Sequence, residues 1–66
     1  MKLSNIQIAA LQLMKDKPAD FYQFCKIGAN GATIGSLVRK GLAEKDGAEW
    51  VLTPDGYNEL NARVGQ

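Results

Sequence analysis

The sequence predicts a mostly helical α+β domain whose order is helix, helix, helix, β-hairpin, helix. Three observations predict it. Ser4 followed three residues later by Gln7 is a capping-box pattern ahead of apolar residues at helical spacing. Asp46-Gly47 stands between two short runs, as the link of a two-residue hairpin does. Thr53-Pro54-Asp55 then supplies an N-cap hydroxyl, a proline suited to the first helical position and a carboxylate for the positive helix end.

The first helix is predicted over about 4–15, with Ile6, Ala9, Ala10, Leu13 and Met14 recurring at helical spacing and Leu11 close by. Pro18 stops it, because proline disfavours helical geometry at the residue before it. A second helix over about 19–27 places Phe21, Phe24 and Cys25 on one side, with Ile27 near its end. Gly28-Ala29-Asn30-Gly31 is then a turn between helices, offering left-handed geometry and a cap for the third helix.

The third helix is predicted over about 31–40. Ile34, Leu37 and Val38 cluster on its core face, and Ala32, Ser36 and Arg39 fall opposite. Gly35 costs about 1 kcal/mol in a helix interior relative to alanine, so close approach of another surface is expected there. Gly41 ends the helix as a left-handed cap residue. The hairpin occupies about 42–53, with strands Leu42 to Lys45 and Ala48 to Leu52 joined by a type I′ turn at Asp46-Gly47. Trp50 and Leu52 share its inward side. The last helix covers about 54–63, with Tyr57, Leu60 and Val64 as the stripe that returns to the body.

Composition bounds what such a chain does. Its 66 residues make a single domain, 1–66, hiding only about 60% of the unfolded surface, so no large cleft is expected. Hydrophobic residues at 45% and charged residues at 23% are those of a folded globule. Cys25 is the one cysteine and histidine is absent, which removes internal disulfides, thiolate or imidazole zinc sites and histidine acid-base chemistry together. Asp16, Asp20, Asp55 and Glu59 fall at caps and helix ends and read as solvated carboxylates, not as a catalytic pair. No enzyme activity, metal or cofactor is expected. The longest apolar run, Ile8 to Leu11, is too short to span a bilayer, and Met1-Lys2-Leu3-Ser4 lacks a secretory apolar stretch, so a cytoplasmic location is expected.

Leu37-Val38-Arg39-Lys40-Gly41-Leu42-Ala43-Glu44 resembles the end of the recognition helix and the start of the wing in bacterial winged helix-turn-helix regulators. Leu52-Thr53-Pro54-Asp55-Gly56 is similar to the Leu-Thr-x-x-Gly that closes the wing in the multiple-antibiotic-resistance regulator type. With the first two helices, the resemblance covers nearly the whole chain. It implies a winged helix: a three-helix helix-turn-helix core, a β-hairpin wing and a C-terminal helix. The function it implies is a small bacterial or phage transcriptional regulator that binds duplex DNA, with the third helix in the major groove. Carried over position by position, Ser36 and Arg39 face base edges, Asn30, Thr33 and Lys40 hold phosphates, and Lys45 is the wing contact. A net charge of +1 implies weak binding by one copy, so a homodimer formed through the first or last helix is expected.

Two other readings share these residues. Glu44, Asp46 and Glu49 surround the wing turn where the resemblance implies basic residues, which suits a winged-helix module that holds a protein partner. Ile27-Gly28-Ala29-Asn30-Gly31-Ala32-Thr33-Ile34 is similar to the Ile-Gly-x-x-Gly-x-x-Ile of KH domains, which would clamp single-stranded nucleic acid at Gly28 to Gly31. A KH domain needs a strand before that helix pair, where this chain reads as helix.

Overall fold

The computed structural model describes residues 3–64, with side chains through residue 62. Among the described residues the elements are α1 Asn5–Leu13, β1 Ala19–Asp20, α2 Phe21–Lys26, α3 Gly31–Arg39, β2 Ala43–Asp46, β3 Glu49–Leu52 and α4 Pro54–Val64. The fold is a small, mostly helical α+β arrangement with an antiparallel three-stranded sheet in the order β1-β3-β2. Among the described residues, no helix is long and apolar enough to cross a membrane.

The capping box at the start of α1 is reciprocal. Ser4 Oγ accepts from the Gln7 N–H at 3.2 Å, and Gln7 Oε1 accepts from the Ser4 N–H at 2.8 Å. The helix stops at Leu13 with Met14 as C-cap, two residues before the expected end. Ala10, Leu11 and Met14 are its buried residues, so the core face turns toward Leu11 and leaves Leu13 half-buried. Beyond it the chain bends through Asp16 and Lys17, and Tyr57 of α4 donates its hydroxyl to the Lys15 carbonyl at 2.9 Å.

The sequence pattern places the start of the second helix at Ala19, and the structure corrects this. Ala19 and Asp20 form a strand, pairing with Trp50 and Glu49 of β3. Asp20 then caps α2: its Oδ1 accepts from the Gln23 N–H at 2.9 Å, and Gln23 Oε1 accepts from the Asp20 N–H at 3.0 Å. The later start, with an end at Lys26 and Ile27 as C-cap, leaves a six-residue helix with one fully buried anchor, Phe24. Phe21 and Cys25, expected on the core side, lie on the flank of that anchor and are exposed. Phe24 packs edge-on against the half-buried Trp50, ring centroids 5.8 Å apart.

Both α2 and α3 end in the same way. At Gly28 (φ 87°) the Ala29 N–H reaches back to the Phe24 carbonyl, and at Gly41 (φ 78°) the Leu42 N–H reaches back to the Leu37 carbonyl. Each ending turns an apolar residue, Ala29 or Leu42, into the core. From α3 the core takes Ile34 and Leu37, whereas Val38, also expected there, is 38% exposed.

The hairpin turn lies one residue later than expected. Asp46 pairs with Glu49, which puts Gly47 and Ala48 at the centre of the turn. Only Gly47 has positive φ, at 65°. A type I′ turn needs positive φ at both central residues, so this turn has the type II′ pattern with glycine first. Trp50 and Leu52 keep their shared inward side, opposite Lys45 and Ala43.

Thr53 joins the hairpin to α4 from both ends. Its hydroxyl donates to the Gly41 carbonyl at 2.6 Å and accepts from the Gly56 N–H at 3.0 Å, while its own N–H donates to the Leu42 carbonyl at 3.2 Å. A Cβ on Gly56 would overlap the Leu42 carbonyl oxygen, so α4 crosses the hairpin root at a distance only glycine permits. Leu60 carries α4 into the core, and the Val64 side chain lies outside the described residues.

Candidate functional site

Because Ile34 and Leu37 commit one side of α3 to the core, the helix turns the opposite row outward. That row is Ala32, Gly35 and Arg39, spaced i, i+3, i+7. Arg39 is exposed, and a Cβ built on Gly35 would lie 3.8 Å from its Nη1. The guanidinium is therefore folded back along the helix toward Gly35 instead of extending past the C-terminus. Lys40, the C-cap residue, is exposed beside it. Cations at this end also complement the helix dipole.

Ser36 occupies a different place from the one the resemblance implies. Its hydroxyl donates to the Thr33 carbonyl at 2.8 Å and accepts from Gln7 Nε2 at 2.8 Å, so the side chain is half-buried between α1 and α3. The sequence alone gives Gln7 only its cap. In the fold, the same carboxamide serves the cap with its oxygen and Ser36 with its nitrogen. A bond spanning 29 residues leaves no local trace in the sequence.

Asn30 is the N-cap of α3. Its Oδ1 accepts from the Thr33 N–H at 3.0 Å and the Thr33 hydroxyl at 3.3 Å, leaving its amide nitrogen as the outward donor. Ala29 beside it is buried, so this turn holds the two helices together with its middle residues already engaged. Lys45 lies across from Trp50 in the hairpin register, its Nζ 5.5 Å from the indole ring centroid. The structure thus gathers Arg39 and Lys40 at one end of α3, sets Asn30 and Thr33 at the other, and puts Lys45 on the hairpin. Ser36 does not join them on the outward row.

Charge is segregated along the chain. From Phe21 to Ala43 there is no carboxylate, and Lys26, Arg39 and Lys40 are the charged groups. The hairpin has the opposite balance. Asp20, Glu49 and Asp46 stand in register across β1, β3 and β2, with Glu44 two residues along β2 on the same side. Lys45, on the other side of the strand, is the single cation from Ala43 to Leu52.

Compared with family models, curated proteins and solved structures, the chain matches none.

Proposed function

We propose that this chain is a small winged helix-turn-helix protein that binds duplex DNA through α3 and regulates transcription. The observation that carries the reading is the helix pair α2 and α3, free of carboxylates from end to end, whose second helix buries one face and turns Arg39 and Lys40 outward. A short helix exposed in this way suits the major groove, and the antiparallel hairpin after it takes the place of a wing. Lys40, the Asn30 amide and Lys45 hold phosphates, and two copies double those interactions.

Fluorescence anisotropy with a labelled duplex pool tests this at low salt. The Arg39→Ala, Lys40→Ala double variant weakens binding and flattens the salt dependence by about 0.9 in log-log slope for each phosphate no longer neutralised. Absence of binding to any duplex at about 50 mM salt overturns the reading.

The acidic row of the sheet supports a second reading, in which the same fold holds a basic protein partner through Glu44, Asp46 and Glu49. That reading gains if duplex binding is absent and a captured partner survives nuclease treatment.

A further inference from the structure

Resting on the DNA-binding reading, we infer that Arg39 is the one base-reading side chain of α3, and that it selects a guanine with a thymine beside it. The outward row offers little else. Ser36, the other hydrogen-bonding candidate, is engaged by Gln7 and by the Thr33 carbonyl. Gly35 has no side chain, and Ala32 presents only a methyl group. The guanidinium lies toward the middle of this row, its Nη1 3.8 Å from where a Cβ on Gly35 would stand.

A guanidinium in the major groove pairs in bidentate fashion with the O6 and N7 of guanine, and an alanine methyl packs on the thymine methyl. Ala32 precedes Gly35 by three residues, about 4.5 Å of helix rise. That is close to the roughly 3.4 Å between successive bases of one strand. The two side chains therefore meet neighbouring base pairs. One bidentate reader with an apolar neighbour makes a short, degenerate site, so most of the affinity comes from phosphates.

Selection from a randomised duplex pool, followed by titration of single-base variants, tests the inference on the full chain. The expected result is one dominant guanine whose replacement weakens binding roughly 5- to 150-fold. Arg39→Ala loses that preference, because it removes the guanidinium that pairs with guanine O6 and N7. Replacing the adjacent thymine by uracil, which removes only its methyl, also weakens binding. Binding without guanine preference, or a preference that Arg39→Ala leaves intact, overturns the inference while the DNA-binding reading stands. Loss of the guanine preference in Ser36→Ala but not in Gln7→Ala, which breaks the same bond, also overturns it, because Ser36 would then be a reader. Failure of the wild-type chain to bind any duplex removes both.

Discussion

Gln7 Nε2 donates to Ser36 Oγ at 2.8 Å, linking the first turn of α1 to the middle of α3. Ser36 passes the interaction on to the Thr33 carbonyl, and Gln7 receives the Ser4 N–H on its oxygen. The exposed helix is thus held from behind by a side chain that also starts another helix. A double-mutant cycle over Gln7→Ala and Ser36→Ala should give a coupling of about 0.5–1.5 kcal/mol in urea unfolding. Additive losses would mean that the bond contributes nothing to stability.

Gly56 and Gly31 should respond in opposite ways to the same methyl group. Gly56→Ala drives a Cβ into the Leu42 carbonyl and should cost about 1–3 kcal/mol or more. Gly31→Ala meets nothing within 4 Å at the start of α3 and should be neutral or slightly stabilising. Thermal melts of the two variants compare them directly, and equal melting temperatures would refute the close crossing.

Asp20→Ala removes the N-cap of α2 and should cost about 1 kcal/mol. Because Asp20 also belongs to β1, amide exchange should accelerate at Gln23 and at the β3 residues Glu49 and Trp50 together. Acceleration confined to α2 would show that strand and cap are independent.

Glu49 faces Asp20 on one side and Asp46 on the other. Glu49→Lys should replace two like-charge pairs by opposite ones, raising stability by roughly 0.2–1 kcal/mol. If the hairpin lies near phosphate, the same change should tighten duplex binding and steepen its salt dependence. An unchanged affinity would place the hairpin away from the duplex.

Chemistry is legible in the sequence wherever it is local in the fold. The Ser4/Gln7 box, the left-handed exit at Gly41 and the Thr53 cap need only residues a few positions apart, and all three are present. Asp20/Gln23 repeats the spacing of Ser4/Gln7 and is the signal that marks the true start of α2. β1 has no such signal, since two residues carry no alternation and become a strand only by pairing with β3. Phe21 and Cys25 flank Phe24 on the helix whichever residue starts it, and their exposure is set by how α2 packs, which periodicity does not encode. The turn moves by one residue because Asp46-Gly47 and Gly47-Ala48 are overlapping hairpin signals, and the pairing of Asp46 with Glu49 selects the second. At the candidate site, the exposure of Arg39 and Lys40 follows from helical periodicity. The role of Ser36 depends on where α1 packs, which periodicity does not encode.

With no room for a methyl group between α4 and the Leu42 carbonyl, the last helix acts as a splint at the base of the hairpin. Sliding or hinging there would break the bonds of Thr53 to Gly41 and Leu42. A push on the hairpin tip is therefore carried into α4 and, through Tyr57, to the Lys15 carbonyl just beyond α1.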